Sequence, residues 1–405
     1  MGKKIINVLD VGSLRIVCAQ GTLDTETGSV VLNETVTMRT QGIHRSRIVD
    51  RQEFERSILR AADSLEKKTK RKYQDIFVNF SSSGTRSQFV SVKKEQKSTI
   101  TTKNIVALSE SIVDQTRHGY QVLHIIPLSY SLDNYDGVRD PRGMRCQNIS
   151  GHFHTIIAPK KEIDLLTQAL YDCHINVEAF VATPFASGLA CSVQDERNIG
   201  VLTIDIGEGF THISAFYEGQ CIHVASLPIG GKHISHDISY ILGCSIETAE
   251  KIKRLHGSAL AQSKQAHTVI DVPLASSLAK EDAIAQVPIP HLVKIMRARI
   301  EEILKNVKQH LAKNHLNAQP LHRAILTGGV AHTPRIKDLA SSVLQIPVRI
   351  GVSSNIQSSY NASDMLNLTT ACGLMHIKAR ELKQSHTILS QKKSFFAQFK
   401  KKLQR

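Results

Sequence analysis

Two segments of this chain repeat one pattern: Ile5-Ile6-Asn7-Val8-Leu9-Asp10-Val11-Gly12-Ser13-Leu14-Arg15-Ile16-Val17 and Val201-Leu202-Thr203-Ile204-Asp205-Ile206-Gly207-Glu208-Gly209-Phe210-Thr211-His212-Ile213. Each reads as an apolar strand, an Asp-apolar-Gly turn and a second strand. Asp10 and Asp205 lie 195 positions apart in a chain of 405 residues, so the pattern predicts two related domains that open on the same hairpin. Two unrelated hairpins are the simpler alternative, because Asp-x-Gly turns are common. With 41% hydrophobic and 21% charged residues the chain can bury two cores of ordinary size, and disordered or collagen-like architectures are excluded.

Between the hairpins an amphipathic helix is predicted over 50–70, with Phe54, Ile58, Leu59, Ala62 and Leu65 on one face, followed by a strand at 76–80. Residues 81–158 are polar and read as an inserted module, with short strands at 88–92, 122–127 and 152–157, a helix near 105–116 and a turn-rich loop at 135–143. Helical periodicity returns over 161–173, and a strand and helix through Phe185 and Leu189 lead to the second hairpin. Ile295, Ile300, Ile303, Leu304, Val307 and Leu311 predict a helix over 291–312, and Arg323 to Gly329 reads as a strand ending in a double-glycine turn.

The seven cysteines are never closer than 18 positions, so no CxxC pair serves zinc or redox chemistry, and a reduced, cytosolic setting is expected. The apolar start is short and broken by Asn7 and Asp10, unlike an export signal, and Ile6 stands where a myristoylation signal needs Ser or Thr. No run approaches the ~18 apolar residues of a spanning helix. Membrane contact is therefore expected to be peripheral.

An Asp-x-Gly turn ends a strand in a carboxylate and lets backbone N–H groups face a phosphate with no Cβ in the way. Asp10 and Asp205 are expected to hold a hydrated Mg²⁺ between them, since that ion keeps several waters and takes few carboxylates. Gly12 and Ser13 on one turn and Gly207 and Gly209 on the other supply donors to a triphosphate, with Arg15 as a charged contact. The Gly328-Gly329 turn has no side chain to obstruct a flat adenine. Gly230-Gly231-Lys232 resembles the end of a P-loop, but Ser226 replaces its first glycine and His233 its Ser or Thr. His152 and His154 alternate on a strand without a third ligand, and His233 and His236 read as solvated helix histidines.

The net charge of +15 points to acidic partners, nucleic acid or anionic lipid. The run Lys67, Lys68, Lys70, Arg71, Lys72 ends a helix and reads as a solvated terminus favoured by the helix dipole, with no aromatic residues interleaved for nucleic acid. The tail differs. On a helix Phe395, Phe396, Phe399 and Leu403 fall within an arc of roughly 100°, while Lys392, Lys393, Lys400, Lys401, Lys402 and Arg405 lie mostly elsewhere. Such a helix lies in an anionic bilayer interface, apolar face down. An ordinary packed terminal helix is the alternative, but it would leave three phenylalanines exposed after the polar stretch 383–391.

The order Asp-x-Gly, Asp-x-Gly-x-Gly, apolar-Thr-Gly-Gly resembles the nucleotide-site signature of the actin/Hsp70/sugar-kinase superfamily. Within it, Val122 to Pro127, Tyr130, Asp133, Gly137 and the Asp140-Pro141-Arg142-Gly143-Met144 loop are similar to the IC subdomain of the bacterial cell-division FtsA family. Asp195-Glu196-Arg197 with Gly200-Val201, and Ala249 to Lys253 with His256-Gly257, also resemble that family.

The resemblance implies an α/β, actin-like two-domain fold in which an FtsA-type IC subdomain replaces actin IB, plus a C-terminal amphipathic helix. It divides the chain into IA (1–80, 161–195 and a closing helix 371–381), IC (81–160), IIA (196–225 and 306–370), IIB (226–305), a flexible linker (382–391) and a membrane-targeting helix (392–405). It implies ATP and Mg²⁺ as cofactors, with Arg15 at the usual lysine of the first phosphate loop, Glu250 and Lys253 near ribose and adenine, and Gly328 and Gly329 at the adenosine turn. The partners implied are the FtsZ C-terminal tail through Arg299 and Glu302, other copies in filaments, anionic lipid, and later division proteins through IC, with no nucleic acid expected. The implied location is cytoplasmic, peripheral on the inner face of the membrane at the division septum.

The departures bear on catalysis. The second phosphate loop of the family usually carries three glycines, a Thr and an Asp, where this chain has Glu208, Phe210 and His212. Thr183 precedes Pro184 where hydrolytic relatives place a water-orienting Glu or Gln. ATP binding with at most slow hydrolysis is expected of an adaptor and polymer. A sugar kinase or chaperone-type ATPase acting on an unknown substrate is the rival class.

Overall fold

The two hairpins open two sheets of the same strand order. In the computed structural model, which describes residues 2–383 apart from 45–46, 262, 264–266, 276–282, 317–319 and 354–355, β1 (Lys3–Val11), β2 (Arg15–Asp24) and β3 (Val30–Arg39) form an antiparallel meander. A short pair, β4 (Ile43–His44) and β5 (Arg47–Ile48), precedes α1 (Arg51–Thr69), which returns the chain to β6 (Ile76–Phe80), parallel to β1. The inserted module follows: β7 (Arg86–Glu95), α2 (Thr102–Asp114), β8 (Tyr120–Leu132), β9 (Tyr135–Val138) and β10 (Asn148–Pro159), in sheet order β7-β10-β8-β9. Its own core joins Val92, Ile100, Leu108, Ile112, Leu132 and Phe153. Then α3 (Lys160–Asp172) and β11 (Val177–Ala182) complete a first sheet of order β11-β6-β1-β2-β3.

After α4 (Thr183–Cys191) and α5 (Gln194–Ile199) the plan recurs with β12 (Val201–Ile206), β13 (Thr211–Tyr217) and β14 (Gln220–Leu227) as the meander. A helical excursion follows: α6 (Gly231–Leu242), α7 (Ile246–His256), the hairpin β15 (Val269–Pro273) and β16 (Ile284–Pro288), and α8 (Ile289–Lys313). It leads to β17 (Arg323–Thr327), a 3-10 turn at Gly329–His332, α9 (Ile336–Leu344) and β18 (Val348–Ile350). The second sheet runs β14-β13-β12-β17-β18, the first sheet's order strand for strand. That correspondence rules out two unrelated hairpins. Finally α10 (Ala362–Asn367) and α11 (Thr369–Lys383) return to the first sheet.

The central strands β6 and β12 are buried at every position, as apolar strands covered on both faces should be. Alternation along β1 sends Ile6 and Val8 toward Leu374 and Met375 of α11, and Leu9 toward Phe54, Ile58 and Leu65 of α1. Asp50 caps α1 by accepting the Glu53 N–H at 3.0 Å. Apart from Phe185, α4 is wholly buried between the sheets. It packs closely on α11 because Gly373 has no Cβ to strike the Ala186 carbonyl.

Three boundaries differ from expectation. The loop at 135–143 contains a strand, β9, paired with β8. The helix α8 is continuous from Ile289 to Lys313, because its buried face persists through Leu304, Val307 and Leu311, so a division at 305 falls inside one element. The last helix runs to Lys383, two residues past 381. The rest of the expected linker, and Phe395, Phe396, Phe399, Lys400 and Leu403, lie outside the described residues. No helix among the described residues is long and apolar enough to cross a membrane.

Candidate functional site

Each hairpin sets its aspartate near the C-terminal end of a central strand, and both turns face one cleft of about 480 Å³. Asp10, Gly12, Ser13 and Arg15 line it from the first domain, and Asp205, Gly207, Gly209, Gly328 and Gly329 from the second, with Glu250 and Lys253 from α7. The residues singled out from sequence are thus brought together.

The Gly12 N–H donates to the Arg15 carbonyl and the Gly207 N–H to the Phe210 carbonyl, both at 2.9 Å, closing the two turns. A Cβ on Gly209 would stand 2.6 Å from Ser13 Oγ, so the two turns approach closely across the cleft. Gly328 has φ +84, and a Cβ there would strike the Asp205 carboxylate, whereas a Cβ on Gly329 would meet nothing within 4 Å.

Burial, with the facing Asp205 charge second and Arg15 opposing, pushes the Asp10 carboxyl up to about 7. Burial raises Asp205 to about 6 against a hydrogen bond from Ser187. A half-buried and a buried carboxylate destabilised in this way form an environment that a divalent cation would relieve. Among the described residues no three His, Cys, Asp or Glu side chains gather to bind a metal directly. Two carboxylates and bound waters are the donor set that suits Mg²⁺.

The second loop is anchored to α6, since Gly231 N–H donates to the Gly207 carbonyl and Lys232 N–H to the Glu208 carbonyl, each at 2.8 Å. The P-loop look-alike is therefore a brace. Lys253 Nζ donates to Glu250 Oε2 at 2.5 Å, to Ser235 Oγ at 2.8 Å and to the Gly231 carbonyl at 3.2 Å. Burial opposes ionisation of Glu250, but the Lys253 and Ser235 hydrogen bonds win and hold its pKa below the usual range. Burial raises Glu208, which sits near Lys232 and Lys253.

Of the inner wall, Thr183 and His212 stood out in the sequence, whereas Asn79 and Ser81 did not. Asn79 Oδ1 accepts the Val11 N–H at 2.6 Å, and its Nδ2 donates to Thr183 Oγ1 at 3.1 Å. Ser81 Oγ lies 2.7 Å from Thr183 Oγ1 and 3.4 Å from His212 Nε2. Burial drives the His212 pKa down to about 3, so the ring is neutral, and its Nδ1 lies 2.8 Å from Ser226 Oγ. Asn367 accepts from Arg15 Nη2 at 3.0 Å, tying α10 to the first turn. One polar residue within the apolar strand Ile76–Phe80 was the available signal for Asn79.

Other candidates fall elsewhere. Arg299 grips Asp237 at 2.6 and 2.7 Å and Glu302 at 2.6 Å, so the two expected partner-contact residues are ion-paired to each other. His152 lies 2.9 Å from both Ser91 Oγ and Ser131 Oγ, while His154 is buried between Ser87 and the Cys221 carbonyl. His233 is half-buried and accepts the Gly230 N–H at 3.1 Å, a helix cap rather than a solvated side chain.

A family model described as cell division protein FtsA matches residues 202–373, and one described as the SHS2 domain inserted in FTSA matches 81–157. The cell division protein FtsA of Agrobacterium fabrum is 31% identical over 385 residues, covering 92% of this chain and 86% of that protein. The chain belongs to the FtsA family. FtsA of Escherichia coli K12 is 25% identical over 386 residues, covering 92% and 90%. Among solved structures, a PilM-PilN type IV pilus biogenesis complex aligns with a TM-score of 0.65 at 12% identity, covering 92% of this chain and 98% of that one. MreB5 of Spiroplasma citri bound to ADP aligns at 0.55 and 13% identity, covering 94% and 98%. The fold is accordingly the actin-like one, with the SHS2 module as its insertion.

Proposed function

We propose that this FtsA-family protein binds ATP with Mg²⁺ in the cleft, and that it anchors polymers of FtsZ to the inner face of the cytoplasmic membrane at the septum. The observation that carries the reading is the convergence of two glycine turns, the Asp10 and Asp205 carboxylates and a double-glycine turn open at Gly329 on one cleft from both domains. MreB5 of S. citri, which shares the fold, has been solved with ADP and with AMPPNP.

In this reading the N–H groups of Gly12 and Gly207 are spent on their turns, so those of Ser13 and Gly209 take the phosphates, assisted by Arg15. Asp10 and Asp205 hold the hydrated Mg²⁺, which neutralises phosphate charge. Adenosine lies against Gly328-Gly329, with Glu250 and Lys253 beside it. Hydrolysis is slow, because Thr183 is engaged by Asn79 and Ser81 and lacks the reach and basicity to orient a water.

The amphipathic tail supplies the membrane contact, the region around Arg299 and Glu302 receives the FtsZ tail, and the inserted module meets later division proteins. Other copies of the chain add to it in filaments. The test is co-sedimentation of full-length protein with anionic liposomes and purified FtsZ, with and without ATP. FtsZ should pellet with liposomes only when this protein is present. Failure to do so removes the adaptor reading, and rapid phosphorylation of a small molecule would replace it with the kinase reading.

A further inference from the structure

The basic run that ends α1 has no place in the cleft, and the structure sets it beside the end of α11. The Lys378 ammonium donates to the Asp75 carbonyl, pairs with Glu178 at 2.8 Å and lies 5.3 Å from the centre of the Phe77 ring. These contacts pin the last turns of α11 to the segment between α1 and β6. In that segment Lys70, Arg71 and Lys72 are exposed. Asn7 pairs with Ile76 in parallel register and its Nδ2 donates to the Gln74 carbonyl at 2.9 Å. The start of β1, with exposed Lys3 and Lys4, therefore reaches the same end of the sheet. Within the run, Lys68 is held by Glu34 at 2.9 Å. Asp24, Glu66, Asp75 and Glu178 also lie at this end, so the edge is positive by excess of cations rather than by absence of acids.

We infer that this edge is an auxiliary membrane-docking surface, in which Lys70, Arg71 and Lys72, with Lys3 and Lys4, rest against anionic lipid headgroups once the C-terminal helix has inserted. The inference rests on the membrane reading of the tail. The eight residues 384–391 span at most about 28 Å even when fully extended, so an inserted tail confines this edge close to the bilayer. Confinement turns a weak second contact into an intramolecular one with a high effective concentration. The edge acts only within about a Debye length of the surface, ~10 Å at 0.1 M salt. Nucleic acid is the other polyanion a basic run attracts, but the run has no interleaved aromatic residues, and its position beside the tail's point of departure favours lipid.

The test uses full-length protein, floated with phosphatidylcholine vesicles that contain phosphatidylglycerol and with pure phosphatidylcholine vesicles. The triple change Lys70→Gln, Arg71→Gln, Lys72→Gln should weaken binding to the anionic vesicles by about tenfold to a hundredfold at low salt. It should have no effect on the neutral ones, and the single change Arg71→Gln should give a smaller loss in the same direction. An unchanged wild-type melting temperature for both variants assigns the loss to the surface. If wild-type protein floats and both variants float equally well, the docking surface is refuted and the tail anchor stands. If wild-type protein does not float at all, the anchor reading falls and takes this inference with it. If the triple variant loses affinity for duplex DNA while vesicle binding is unchanged, the edge is a nucleic-acid surface and the inference is wrong.

Discussion

Gly328 and Gly329 are adjacent in sequence and opposite in surroundings, so paired substitutions can separate folding from binding. Gly328 adopts φ 84 and ψ 175, a region almost reserved for glycine, where another residue costs about 1–3 kcal/mol. Its Cβ would strike the Asp205 carboxylate and stand 2.7 Å from the Ile206 carbonyl, adding about 1–3 kcal/mol of overpacking. Gly328→Ala should therefore destabilise the protein by about 2–6 kcal/mol, read as a lower urea midpoint with an unchanged slope. At Gly329 a Cβ meets nothing within 4 Å, so Gly329→Asp should leave the midpoint within about 0.5 kcal/mol of wild type. Its carboxylate would nevertheless occupy the surface where adenosine is to lie. Covering it without a partner costs roughly 3 kcal/mol or more, at least about a hundredfold in affinity at 1.4 kcal/mol per decade. Titration with a fluorescent ATP analogue checks this. Wild-type affinity in Gly329→Asp would remove adenosine from this turn, and equal destabilisation by both changes would refute the structural contrast between the two glycines.

Turnover should stay well below ~1 s⁻¹, the lower end of ordinary enzyme rates, and a steady-state phosphate assay above that rate would reverse the view of Thr183. Phe396→Glu combined with Phe399→Glu should release the protein from liposomes even at low salt, since each fully buried Phe is worth roughly 1.5–3 kcal/mol, while ATP binding stays intact. Neutralising Lys400, Lys401 and Lys402 should weaken flotation mainly on anionic lipid, and equal weakening on neutral lipid would contradict the electrostatic role. Burial works against the Glu196 charge, but hydrogen bonds from Arg349 and the Val193 N–H outweigh it and hold its pKa down to about 2. A depressed carboxylate stabilises the fold above its unfolded pKa and loses that contribution as pH falls from about 4.5 toward 2. With the shift discounted for solvent screening, Glu196→Gln should thus cost about 2–3 kcal/mol at pH 7 and flatten the acid limb of the stability profile, and an unaltered acid limb would show that the Glu196–Arg349 pair contributes nothing.

The features legible in the sequence were those whose cause is local. A carboxylate followed by a glycine turn marks the end of a strand wherever it occurs, and two copies fixed the halves of the fold together with Asp10, Asp205 and their glycines. The apolar period of α1 and α8 likewise needs no tertiary context. What stayed hidden depends on contacts between distant segments. Asn79 belongs to the cleft because its amide reaches Val11 and Thr183, 68 and 104 positions away. His154 alternates with His152 on a strand without a third ligand, and the role it does have shows only in three dimensions, where the pairing of β10 with β7 and its packing on β14 bury it between Ser87 and Cys221.

The same reasoning explains why the cleft exists where it does. In both sheets the first strand lies between its antiparallel hairpin partner and a parallel strand brought back by a crossover, so both aspartates stand near the C-terminal edge of their sheet. Open α/β sheets bind ligands at that edge. With α4 packed between the sheets and α11 lying against α4 and the first sheet, those two edges converge on one cavity. The inserted module leaves the first sheet there as well. It begins at Ser81, the residue after β6, whose hydroxyl reaches Thr183 in the cleft wall. The inserted module is therefore rooted in the same wall that holds the candidate phosphate site, and its attachment is a direct consequence of where β6 ends.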